Sequence, residues 1–134
     1  MKITVMGLGY IGLPTAAVAA SKGLQVIGVD IDPQVVDTVN RGEIHIVEPG
    51  LREVVREVVR AGRFQAATKP VASGVYLIVV PTPFKGNHEP DVSYVEAATR
   101  SVVPLLKAGD LFIIESTSPV GTTDRMARLI FSER

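Results

Sequence analysis

The run Met6-Gly7-Leu8-Gly9-Tyr10-Ile11-Gly12 constrains this chain most: its three glycines directly follow a short apolar run (Ile3, Val5) and directly precede an alanine-rich segment. A strand that turns sharply into a phosphate-binding helix needs glycines at this spacing. Gly7 permits the tight turn, Gly9 lets a phosphate approach the backbone without meeting a Cβ, and Gly12 lets the new helix lie close to the sheet. The anion would rest on free N–H groups at the helix start, where the macrodipole is positive. Pro14 falls in or just after the first helical turn, where a missing N–H is tolerated best. The same string also occurs as an ordinary glycine-rich loop, so its meaning depends on the residues downstream of Gly12.

Those residues alternate regularly between strand and helix patterns. Residues 2–6 read as a buried strand, 10–22 as a helix stopped by Gly23, and 24–29 as a second strand ending on Asp30. A short crossover between them implies parallel strands and a right-handed unit. Asp32 before Pro33 is a cap-and-first-turn pair for a short helix over 33–40. After a connector, Leu51, Val54, Val55, Val58 and Val59 share one face of a helix over 51–61, with Glu53/Arg56 and Glu57/Arg60 as opposite-charge pairs on its solvated side. Residues 64–67 suit a short third strand. The run Val75-Tyr76-Leu77-Ile78-Val79-Val80 suits a central strand covered on both faces, ended by Pro81-Thr82-Pro83. A polar loop over 84–90 containing His88 leads to Asp91, an N-cap candidate for a helix that Pro104 bends or ends. Residues 111–114 form a fifth strand, and 124–131 a last helix. The pattern predicts a single α/β domain over 1–134, a Rossmann-like doubly wound parallel sheet of strand order 3-2-1-4-5.

In such a sheet, ligands bind outside the carboxyl ends of the strands where the order reverses. Gly7, Gly9 and Gly12 come after the first strand, Asp30 after the second, Pro81 and Thr82 after the fourth, and Ser116 and Thr117 after the fifth. Asp30 sits where a carboxylate accepts hydrogen bonds from both adenosine-ribose hydroxyls and repels a ribose phosphate, which points to NAD and not NADP; its other reading is a cap for the next helix. Thr82 either offers a hydroxyl toward the crevice or belongs to a plain proline-bounded turn. Thr122 and Thr123 either face the crevice or cap the last helix. His45, in the connector, is a proton carrier or an ordinary loop histidine.

Composition removes other classes. Lys plus Arg and Asp plus Glu number 14 each, so no net field draws nucleic acid or an anionic membrane. The chain has no cysteine, which excludes disulfides, thiolate metal sites and a cysteine nucleophile within it, and no metal site is expected. The longest apolar run is far short of a membrane span, and the N-terminus enters a strand without a charged-then-apolar leader, so a cytoplasmic protein is expected.

The blocks Gly7-Leu8-Gly9-Tyr10-Ile11-Gly12-Leu13-Pro14, Val29-Asp30-Ile31-Asp32, Glu48-Pro49-Gly50-Leu51, Val80-Pro81-Thr82-Pro83 and Glu115-Ser116-Thr117-Ser118-Pro119-Val120-Gly121-Thr122 resemble the NAD-binding half of the UDP-glucose/GDP-mannose dehydrogenase family. Their order and spacing cover almost the whole chain. The stretches 41–49, 81–91 and 115–121 are most similar to the branch whose substrate is UDP-N-acetyl-D-mannosamine, a supplier of acidic amino sugar for bacterial surface polysaccharide.

The resemblance implies two successive oxidations by NAD, taking the sugar C6 alcohol through an aldehyde to a carboxylate, with a cysteine holding the second stage as a thioester. It implies that Tyr10, Ile11, Asp30, Thr82 and Thr123 touch NAD, that Thr117 is catalytic beside the nicotinamide, and that the UDP-sugar binds mostly outside this chain. It also implies a homodimeric parent whose sixth strand, long helix and cysteine come after Arg134, so that this chain is an N-terminal, inactive fragment of that enzyme. The alternatives are a UDP-glucose 6-dehydrogenase, a non-catalytic NAD-sensing module, and a β-hydroxyacid dehydrogenase, the last opposed by Glu48-Pro49-Gly50-Leu51 and Pro81-Thr82-Pro83.

Overall fold

Apolar, β-branched runs separated by helices give a sheet with both faces covered. A computed structural model of the chain describes residues 1–86, 89–115 and 120–133. Five strands, β1 (Lys2–Met6), β2 (Gln25–Val29), β3 (Phe64–Ala67), β4 (Val75–Ile78) and β7 (Leu111–Ile114), form one parallel sheet in the order β3-β2-β1-β4-β7. This is the 3-2-1-4-5 order expected for the main strands, with the reversal between β1 and β4.

Side chains alternate across β1. Val5 enters a core with α1 (Gly12–Ser21), α2 (Pro33–Asn40) and α3 (Leu51–Arg60); Met6 enters the opposite core with α4 (Ser93–Val102) and α5 (Thr122–Glu133). The small buried residues Ala16, Ala17 and Ala20 let α1 press against the sheet. Gly28 on β2 serves the same layer, since a Cβ there would come within 2.7 Å of Leu8 Cδ2 and 2.8 Å of Phe64 Cε1. The missing side chain makes room for Leu8, which is fully buried and pins the turn after β1. In the second core Tyr76 is buried, and its hydroxyl accepts from Ser73 N (2.8 Å) and donates to Leu105 O (3.4 Å).

At the outer edge of β3, the Asn40 side chain takes the place of a neighbouring strand. Its Nδ2 donates to Ala66 O (3.0 Å), and Ala66 N donates to its Oδ1 (2.8 Å). The connector between α2 and α3 is tied down by Glu43, which bonds Arg52 and Arg56. The Arg52 hydrogen bond, with the two nearby guanidinium charges, holds the Glu43 carboxyl below its ordinary value.

Several boundaries differ from the sequence expectation. Helix α1 begins at Gly12 and not at residue 10, because Tyr10 and Ile11 belong to the turn. The β4 ladder ends at Ile78, where the Gly7 turn packs against the Val79 carbonyl. The stretch read as a polar loop contains a minimal antiparallel pair, β5 (Phe84–Lys85) with β6 (Glu89–Pro90); His88 lies outside the described residues. Asp91 accepts from Ser93 N (2.9 Å), but Val92 is the N-cap of α4. Helix α4 gives way at Val103–Leu105 to a 3-10 turn containing Pro104, and α5 starts at Thr122, two residues earlier than expected.

Candidate functional site

The turn between β1 and α1 is built by two glycines that the protein itself requires. Gly7 has φ +108°, and a Cβ on it would lie 2.7 Å from Val79 O. A Cβ on Gly12 would lie 1.7 Å from Gly7 O. Gly9 is different: its φ is not among the positive ones, and a Cβ there would meet no protein atom within 4 Å. The space beside Gly9 is open, so a ligand can approach this backbone without meeting a Cβ.

The donors at this turn are open. Gly7 N is used, donating to Val29 O (2.7 Å), and Leu8 N donates to Asp30 Oδ2 (3.2 Å). Among the described residues the amides of Gly9, Tyr10 and Ile11 donate to no protein acceptor, and no side chain caps α1. Tyr10 and Ile11 are both exposed. Uncapped N–H groups at the positive end of a ten-residue helix are suited to an anion.

Asp30 comes directly after β2, at the neighbouring strand end. Its two carboxylate oxygens accept from Leu8 N and from Asp32 N (3.0 Å), which fixes the group between the first turn and its own. The remaining lone pairs of an ionised carboxylate can accept hydroxyl protons. Helix capping falls to Asp32, whose Oδ1 accepts from Gln34 N (2.9 Å), with Pro33 opening α2.

These elements line a largely apolar cleft of about 720 Å³ along the carboxyl ends of the strands, within the usual range for ligand sites. Gly7, Gly9, Tyr10, Ile11, Asp30, Pro81 and Thr82 all line it. Gly12 lies behind, buried against Gly7. Thr123 is exposed on α5 and is not part of the lining, while Ser116 and Thr117 lie outside the described residues. Sequence reasoning missed one wall, Ile31 with Thr68, Lys69 and Pro70, and the α4 side with Tyr94, Ala97 and Ser101. The rule that picked out the ends of β1, β2 and β4 also applies to the end of β3 and would have found Thr68 to Pro70. The α4 residues carry no such signal. Among the described residues no group of three His, Asp or Glu could hold a metal ion, and no helix is long and apolar enough to cross a membrane.

Residues 1–134 match the UDP-glucose/GDP-mannose dehydrogenase family, NAD binding domain. The chain belongs to that family. It is 61% identical over 132 residues to the UDP-N-acetyl-D-mannosamine dehydrogenase of Escherichia coli (strain K12), covering 98% of this chain and 31% of that protein. It is 54% identical over 132 residues to the NDP-N-acetyl-D-galactosaminuronic acid dehydrogenase of Ralstonia nicotianae, again covering 98% and 31%. The solved UDP-N-acetyl-mannosamine dehydrogenase of Staphylococcus aureus superposes with a TM-score of 0.94 at 43% identity, over 99% of this chain and 33% of that one. The chain thus spans about a third of the length of the relatives it matches. As the NAD binding domain of the UDP-glucose/GDP-mannose dehydrogenase family, it takes NAD as cofactor, and the open α1 donors, the Cβ-free approach at Gly9 and the cleft beside Asp30 fit a dinucleotide.

Proposed function

We propose that this chain is the dinucleotide-holding part of a nucleotide-sugar 6-dehydrogenase that oxidises UDP-N-acetyl-D-mannosamine in two steps to UDP-N-acetyl-D-mannosaminuronate, for surface polysaccharide synthesis. The observation that carries this reading is the uncapped start of α1, which opens onto the cleft beside the open space at Gly9. The identity of 61% to a UDP-N-acetyl-D-mannosamine dehydrogenase supports the choice of sugar.

The chain's own groups divide the work. The N–H groups of Gly9, Tyr10 and Ile11 hold the pyrophosphate against the positive end of α1, with Gly7 and Gly12 fixing the turn. Asp30, held by two backbone donors, accepts the adenosine-ribose hydroxyls. Pro81 and Thr82 border the path from adenosine to nicotinamide, and the family resemblance gives Ser116 and Thr117 to the nicotinamide end, with Thr117 as the catalytic residue. NAD, when bound, supplies a hydride acceptor at each oxidation. The chain contains no cysteine, so its share of the reaction is to bind, orient and exclude water. The working protein is a cytoplasmic homodimer in this reading.

Assay of the intact protein tests it. Reduced nicotinamide should form in a ratio of two per sugar, with UDP-N-acetyl-D-mannosamine preferred over UDP-glucose. Preference for UDP-glucose would refute the choice of sugar, and binding of NAD without turnover of any nucleotide sugar would favour a sensing module.

A further inference from the structure

The cleft wall after β3, which sequence reasoning missed, carries a charge that the proposed function does not use. Asp30 N donates to Ala67 O (3.1 Å), so β2 and β3 stay in step past the last ladder pair, Val29 with Ala67. The chain segments that leave these two adjacent strand ends, Ile31 and Thr68 to Pro70, line the same cleft as Asp30. Among the described residues lining the cleft, Asp30 and Glu115 are anionic and Lys69 is the only cation. Lys69 is exposed, and no ion pair among the described residues holds it. Asp30, by contrast, is locked in place by two backbone donors.

We propose that Asp30 and Lys69 form a two-part cofactor selector, in which Asp30 excludes a 2′-phosphorylated dinucleotide and Lys69 is a latent anchor for that phosphate. The inference rests on the placement of the adenosine ribose at Asp30. A ribose held there directs its 2′ substituent at the carboxylate, and a phosphate meets like charge at short range. A lysine on the adjacent strand end, with three rotatable donors on a flexible stem, can reach a phosphate across that gap. NAD is therefore preferred because NADP is repelled, and not because the site lacks a group to bind the extra phosphate. A neutral residue at position 30 is enough to expose the second half of the selector.

Calorimetry of the intact protein with NAD and with NADP, for the unmodified protein, Asp30→Asn, Lys69→Ala and the double variant, tests this. Asparagine keeps an oxygen for one of the two backbone donors, Leu8 N or Asp32 N. Asp30→Asn should raise the ratio of NADP to NAD affinity by about tenfold or more, the scale of one charge-assisted contact. Adding Lys69→Ala to Asp30→Asn should lower NADP affinity several-fold while leaving NAD affinity unchanged, so that only the part of the gain due to relieved repulsion remains. No gain in Asp30→Asn, or an NADP affinity in the double variant equal to that of Asp30→Asn, overturns the proposal. If Asp30→Asn does not fold, Lys69→Glu takes its place: competition against NAD should show a selective loss of residual NADP binding, and equal loss of both cofactors overturns the idea. Failure of the unmodified protein to bind NAD at all would instead overturn the site assignment and this inference with it, a result distinct from normal NAD binding without a Lys69-dependent response to NADP.

Discussion

Helices α1 and α2 both leave the carboxyl edge of the sheet, from adjacent strands, and their first turns are finished in opposite ways. The start of α2 is closed by its own sequence, with Asp32 accepting from Gln34 N and Pro33 filling a position where no donor is needed. The start of α1 has Ile11 as its N-cap, a residue whose side chain can accept nothing, and leaves its donors facing a cleft. One helix start is closed by the chain itself, and in the proposed function the other is closed by a ligand. Helices α3 and α4 also begin without a side-chain cap, so what sets the α1 start apart is the cleft it faces, and stability and affinity should respond separately to changes at α1 and α2.

The largest expected effect is at the base of the α1 turn. Gly12→Ala places a Cβ 1.7 Å from Gly7 O, so the turn must open, at a cost of more than about 4 kcal/mol. Circular dichroism should show a lost or much earlier cooperative transition. Gly9→Val changes the other quantity: NAD affinity should fall about 100-fold, or about 2.7 kcal/mol by calorimetry, while the urea midpoint stays put. Equal losses of stability for Gly9→Val and Gly12→Ala would erase the distinction drawn between them. At α2, Asp32→Ala should cost about 1 kcal/mol of stability, a drop of about 4 °C in melting temperature, with unchanged NAD affinity. The smallest effect sharpens the contrast most. Ile11→Asp gives α1 the cap it lacks, so the ligand-free protein should gain at most about 1 kcal/mol while NAD binds more weakly. Tighter NAD binding by that variant would remove the pyrophosphate from α1.

What could be read in the sequence was what local chemistry decides. The β-branched runs, the Asp32-Pro33 pair and the spaced glycines each state their geometry within a few residues, and they suffice for the strand order and for one side of the cleft. The rest depends on residues meeting from afar. Asn40 looks like an ordinary helix end until Ala66 arrives beside it. Gly28 looks like a weak point in a strand until Leu8 and Phe64 need its space. Tyr94, Ala97 and Ser101 carry no motif that marks them in the sequence, and only the closing of the cleft gives them a place. The pair β5 and β6 is too short to show a period of two.

The position of β1 has a consequence for how the protein is made. It is first in sequence but central in the sheet, paired with β2 on one side and β4 on the other. As the chain emerges from the ribosome, the β1-α1-β2 unit can dock early, because its partners are close in sequence. The other edge of β1 must wait for β4, which begins at Val75. During synthesis one side of β1 is thus an open strand edge, and the glycine turn that ends β1 completes its packing only when the Val79 carbonyl reaches Gly7.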